Sequence, residues 1–141
     1  MTDPTGLKVL FVAGFGPVVR DATASTALYR DALQLPLEAM PDVPDYLHGE
    51  TLAGVKHFAL WPLSSAAHSC FGATAWPDDV PVPQAWLEFE VEDVAMATRV
   101  LATRGYRLLV ENRLEPWGQT VTRLLSPEGI VIGITVTPWL R

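Results

Sequence analysis

The sequence predicts an α+β fold, with two βαβββ modules in tandem whose strands form a curved mixed sheet around a groove. Three observations lead there. Glu115–Ile134, EPWGQTVTRLLSPEGIVIGI, reads as two β-rich runs joined by the turn Ser126-Pro127-Glu128-Gly129. Pro at the second turn position presets φ, and Gly at the fourth is common in type I turns. Ala85–Val91, AWLEFEV, alternates as a half-buried strand does and runs into a helix opened by Asp93. The third is a repeat: Val19-Arg20-Asp21 recurs as Val91-Glu92-Asp93. Each copy follows a strand, precedes an Ala-rich helix, and is followed by a strand and a hairpin. A sheet of that size cannot bury both its faces alone, so the two modules are expected to curl around a shared groove.

The elements follow in order. Leu7–Val19 is almost wholly apolar and reads as a strand, with Gly14, Gly16 and Pro17 marking a bend or bulge near its end. Asp21 or Thr23 caps a helix that places Leu28, Ala32 and Leu35 on one side, and Pro36 ends it. Leu35–Leu37 is a short extended piece. Tyr46–Thr51 and Val55–Trp61 read as strands around Ala53-Gly54. The proline-rich stretch 63–84 reads as a long connector holding His68, Cys70, Phe71 and Trp76. It separates a first module, 1–62, from a second, 85–141. In the second, Trp86, Glu88 and Glu90 face one way and Leu87, Phe89 and Val91 the other. Val94, Ala97, Val100 and Leu101 stripe the next helix, and Gly105 ends it. Tyr106–Val110 is then a strand leading to the hairpin.

Composition narrows the function classes. Hydrophobic residues make up 49% of the 141 and charged residues 18%, enough for one packed core. A net charge of −6 without a Lys/Arg cluster speaks against nucleic acid or an anionic membrane as partner. The lone Cys70 excludes an intramolecular disulfide. The start, MTDPTGLK, lacks signal-peptide order, and no apolar run reaches about 18 residues. A soluble cytoplasmic protein is expected.

With Val19-x-Asp21, Tyr29, Leu33-x-Leu35, Leu87–Val91-x-Asp93, Gly105, Pro116-Trp117-Gly118 and Ser126-Pro127-x-Gly129 in place, the chain resembles the vicinal oxygen chelate superfamily of glyoxalase I, bleomycin-resistance proteins and extradiol dioxygenases. Ser126 stands where Asp is usual. The resemblance implies tandem βαβββ modules and commonly a homodimer. It also implies a divalent metal held by His, Gln and Glu on groove-facing strands. Carried over by position, the first ligand falls on Gly14, the third on Trp86 and the fourth on Gly133. The second falls within Val55–Trp61, where only His57 is suitable. Glycine has no donor, and an indole does not bind a divalent cation. No metal and no other cofactor is therefore expected. An apolar, aromatic groove is expected instead, with Trp86 as a wall and Gly14 and Gly133 clearing room.

The expected ligand contacts are Trp86, His57, Trp61, Phe71, Trp76, Trp117, Gly14 and Gly133. Each aromatic also has a plainer reading. Trp61 is core, groove wall or dimer contact; Phe71 and Trp76 are lid or satellite packing; Trp117 is turn structure or pocket edge. Trp139 reads as packing against the domain or a partner subunit. His57 is a polar contact on an apolar strand, His48 and His68 are surface residues, and Glu88 and Glu90 are solvated. No catalytic residue is assigned. The function expected is non-catalytic sequestration of a small hydrophobic, aromatic molecule such as an antibiotic. The alternatives are a glyoxalase- or dioxygenase-like lyase, isomerase or oxygenase with an atypical or absent metal site, and a structural dimer with a filled groove.

Overall fold

A computed structural model describes residues 8–141; Leu7, placed above at the head of the first strand, lies outside them. Asp21 Oδ1 accepts from the Ala24 amide and Asp93 Oδ1 from the Met96 amide, both at 3.0 Å, so the repeated Asp caps a helix twice. The first module comprises β1 (Val9–Val19), α1 (Ala22–Thr26, continued by a π-turn over Ala27–Ala32), β2 (Glu38–Ala39), β3 (Leu47–Gly49) and β4 (Phe58–Pro62). The second comprises β5 (Ala85–Val91), α3 (Val94–Thr103), β6 (Leu108–Leu114), β7 (Thr120–Leu125) and β8 (Val131–Val136). Between them stands α2 (Leu63–Phe71). This corrects the reading of 63–84 as connector throughout: its first nine residues are helical, closed by Gly72 in the left-handed region at φ 77°. No helix among the described residues is long and apolar enough to cross a membrane.

The strands form one curved mixed sheet in the order β2-β3-β4-β1-β5-β8-β7-β6. Each module pairs its first strand in parallel with its last, Phe15 beside Phe58 and Leu87 beside Ile132. The modules join along β1 and β5, which run antiparallel and pair Gly14 with Glu88 and Gly16 with Trp86. That exchange of partners is what a pseudo-twofold axis between the repeats requires. Register shifts in β1 fall between Val9 and Phe11 and between Val12 and Gly14, so the bulging lies earlier than the Gly16-Pro17 end.

Side-chain alternation divides the core by face. On the outer face, Val91, Leu124 and Ile134 pack against Val94, Ala97 and Leu101 of α3, while Val19, Phe58 and Leu60 pack with Tyr29 and Leu35. On the inner face, Val18, Ala59, Trp61, Trp86 and Val131 pack against Ala66, Ala67 and Cys70 of α2 and against Trp76 and Val80 of the following loop. The expected groove is thus covered by the chain's own helix.

Candidate functional site

The inner face centres on Trp86, whose position follows from two glycines. Its indole lies across β1 and donates from Nε1 to the Ala59 carbonyl on β4 at 3.1 Å. A Cβ on Gly14 would stand 3.0 Å from the Trp86 ring and 2.6 Å from the His57 carbonyl oxygen. One on Gly16 would collide with the Ala59 carbonyl. Gly14 therefore seats the indole and leaves no open room for a ligand. Gly133 is likewise covered, with Glu88 Cγ 2.8 Å from where its Cβ would be. Both glycine expectations are corrected in the same way: the space that their missing side chains leave is taken by neighbours.

The other predicted aromatics divide. Trp61 meets Trp86 edge-on at 6.3 Å, and its ring lies under the Arg123 guanidinium at 4.9 Å. Phe71 and Trp76 meet edge-on at 4.9 Å, and Trp76 donates from Nε1 to the Val80 carbonyl. These four are brought together with α2 in one packed cluster. Trp117 is not: it is 53% exposed and reaches the site only through Gln119, whose Oε1 accepts from its indole at 3.0 Å. Trp139 is also exposed.

The glutamates expected in solvent carry the polar frame. Glu88 accepts from Gln119 Nε2 at 2.9 Å and from Arg123 at 3.0 Å. Glu90 is fully buried and accepts from Thr135 Oγ1, the Thr137 amide and Arg141 Nε at 2.6–2.9 Å. Hidden carboxylates persist when their oxygens are satisfied in this way. Arg123 is satisfied only in part: its Nε is buried without an acceptor. Cys70 faces the same interior from α2, and burial pushes its thiol pKa up despite the opposing charge of Arg123.

At the open end of this face a second polar group forms. Tyr46 precedes β3, His48 lies on it, Glu50 follows it, and His57 precedes β4 across the Ala53-Gly54 turn. Glu50 Oε1 lies 2.8 Å from His57 Nδ1 and 3.1 Å from His48 Nδ1, while Tyr46 Oη lies 2.9 Å from His57 Nε2. A carboxylate only accepts, so both Nδ1 atoms donate to Glu50, and in the neutral ring His57 Nε2 is then the acceptor for Tyr46. Burial and the nearby carboxylates of Glu88 and Glu50 hold the Tyr46 hydroxyl neutral, its pKa far above the usual tyrosine value. For Glu50, partial burial raises the pKa, but the hydrogen bonds from His48 and His57 outweigh it and bring it below the usual carboxylate value. His48, expected as a surface residue, is half-buried and belongs to this group. His68 remains on the exposed side of α2.

The family's metal can now be tested against these residues. The pairing of Phe15 with Phe58 and of Leu87 with Ile132 makes Ala59 the counterpart of Gly133, so the second ligand position is Ala59 and not His57. The four positions are then Gly14, Ala59, Trp86 and Gly133, and none offers a donor to a cation. The residues do not fit that metal. Elsewhere, an open depression of about 350 Å³ is lined by Val18, Arg20, Pro83 and Gln84 and includes none of the site side chains above.

Comparison with known proteins agrees with this fold. A family model described as Glyoxalase/Bleomycin resistance protein/Dioxygenase superfamily matches residues 15–134. No curated protein matches the chain in sequence. A glyoxalase/bleomycin resistance protein/dioxygenase superfamily member from Vibrio splendidus 12B01 superposes with a TM-score of 0.57 at 16% identity, covering 91% of this chain and 99% of that one. A hypothetical protein from Bacillus halodurans C-125 gives 0.57 at 16%, covering 90% and 94%. A variant of Streptomyces coelicolor methylmalonyl-CoA epimerase in complex with 2-nitronate-propionyl-CoA gives 0.54 at 14%, covering 95% and 99%.

Proposed function

Starting from a chain that belongs to the glyoxalase/bleomycin resistance protein/dioxygenase superfamily, we propose that it binds a small planar organic molecule on the inner face of the sheet, with no metal at the family's positions. The ligand takes the seat that α2 fills in the free chain. One observation carries the reading: α2 is an imperfect occupant. It covers Trp61 and Trp86 with small side chains, Ala66, Ala67 and Cys70, yet leaves the buried Arg123 Nε without an acceptor. An aromatic ring bearing an oxygen acceptor would satisfy both, stacking on indole and accepting from the guanidinium. Displacing α2 gives up the burial of Ala66, Ala67 and Cys70 and part of that of Leu63 and Phe71. A ligand that buries more apolar area can offset that. Every side chain invoked comes from one chain, so the homodimer that the resemblance implies is compatible with the reading but not required.

A second reading has its own support. Arg113 on β6 donates to the Ser69 carbonyl and, at 3.2 Å, to Ser69 Oγ, tying α2 to the second module. If that tie holds, α2 is permanent packing and the face is closed. Tryptophan fluorescence titrations with a panel of planar aromatic acids and quinones, combined with amide hydrogen exchange over 63–72, decide between them. Saturable quenching with faster exchange in α2 supports the binder. A folded protein with neither across the panel supports the closed face and refutes the proposal.

A further inference from the structure

We propose that His48, Glu50 and His57 form a site for one divalent first-row transition cation, such as Zn2+, at the β3–β4 edge. The inference stands apart from the ligand-binding reading, and the two can fail separately.

The register builds the site. His48 pairs across the strands with Ala59 and Gly49 with Phe58, so the next rung sets Glu50 opposite His57. Two-residue alternation then directs His48 and Glu50 to the same side. One ligand atom from each of the three residues lies within 4.8 Å of the others. Tetrahedral coordination at about 2.0–2.2 Å puts neighbouring ligand atoms about 3.3–3.6 Å apart. The Glu50 contacts, at 2.8 and 3.1 Å, need to open by about 0.2–0.8 Å to reach that spacing. The two imidazoles already lie roughly parallel, at 27° and 5.9 Å between ring centres.

The donor set selects the cation. Two imidazole nitrogens and one carboxylate oxygen suit Zn2+ and its neighbours, whereas Mg2+ and Ca2+ prefer all-oxygen sets. The outer shell is present as well. When His57 Nδ1 binds the cation, its proton resides on Nε2 and is donated to Tyr46 Oη, which keeps the ring oriented. Both histidine side chains are about one-fifth exposed and Glu50 is 43% exposed, so solvent reaches the remaining coordination positions. The site shares no residue with Gly14, Ala59, Trp86 and Gly133, but it borders them: His48 pairs with Ala59, and the His57 ring centre lies 6.0 Å from that of Trp86.

Tag-free protein, stripped with chelator and desalted, is titrated with Zn2+ by calorimetry and with Co2+ by visible absorption. The expected result is one cation per chain, with affinity reduced at least ~10-fold in each of His48→Ala, Glu50→Gln and His57→Ala and unchanged in His68→Ala. Tyr46→Phe should weaken binding by about 10-fold, as the loss of an outer-shell partner does. A readout that needs no variant is proton NMR of the histidine rings, where Co2+ should broaden or shift His48 and His57 and spare His68. No saturable binding overturns the proposal, as does binding indifferent to the three substitutions or a Co2+ effect centred on His68.

Discussion

Replacing Glu88 with Gln removes one negative charge from the inner face and leaves the shape unchanged. Its partner Arg123 is 2% exposed and Glu88 13%, with 3.0 Å between them. Removing one member of a buried pair leaves the other charge uncompensated and costs about 3–5 kcal/mol. The low end applies, since Glu88 has some solvent and the Trp61 ring still faces the guanidinium. We expect Glu88→Gln to cost about 3 kcal/mol, which lowers the melting temperature by about 10 °C for a domain of this length. The reciprocal change should be milder. Arg123→Met removes the cation and the unpaired Nε together, and Glu88 keeps Gln119 at 2.9 Å, so we expect about 1 kcal/mol. The double variant should resemble Arg123→Met alone. Urea unfolding at neutral pH measures all three. The reasoning is refuted if Arg123→Met costs more than Glu88→Gln, or if Glu88→Gln is within about 0.5 kcal/mol of the parent, the usual range of exposed substitutions.

Other expectations follow from the same geometry. Gly16→Ala should abolish soluble folding, because its Cβ meets a backbone carbonyl, whereas Gly133→Ala meets only the Glu88 side chain, which can shift at the cost of its bonds to Gln119 and Arg123, so that variant should remain folded but less stable; expression and circular dichroism distinguish them. Asp93→Ala should cost about 1 kcal/mol through loss of the α3 cap, read from the urea midpoint. Cys70 has a folded pKa raised above its ordinary 9.0, so its contribution to stability is complete below pH 9.0 and is lost as pH rises through the folded value. Cys70→Ala should therefore flatten the alkaline limb of the stability curve. Thiol labelling of the native protein should be slow and should accelerate with any compound that displaces α2.

What the sequence disclosed was local chemistry and period. Asp21, Asp93 and the Ser126–Gly129 turn act through neighbours a few residues away, and each is found where its pattern put it. The helix α2 was hidden by composition. Its residues LSSAAHSCF are small and polar, it starts at Pro62 without a side-chain cap, and prolines flank it. The spacing of Leu63, Ala66, Ala67 and Cys70, with Gly72 beyond, was the available helical signal. The burial of Glu90 was not legible, because its partners Thr135, Thr137 and Arg141 come from the far end of the chain. The grouping of His48 with Glu50 and His57 was half legible: alternation aligned Tyr46, His48 and Glu50, but the β3–β4 register that brings His57 opposite was needed to complete it.

The seam between β1 and β5 also governs how the chain assembles. It pairs Val9 with Val91 and Pro17 with Ala85, residues that lie about half the chain apart, while hairpins such as β7–β8 close over a few residues. Long loops close slowly, so the seam should form late in folding, after the local pairings of the second module. Until then each half presents an inner strand with open backbone donors and acceptors, and a second copy offers the same complementary edge in the same register. A chain shortened between Pro77 and Gln84 loses the slack to fold back on itself. It should emerge as a strand-exchanged dimer, and the two halves, encoded as separate chains, should be soluble only when they are expressed together.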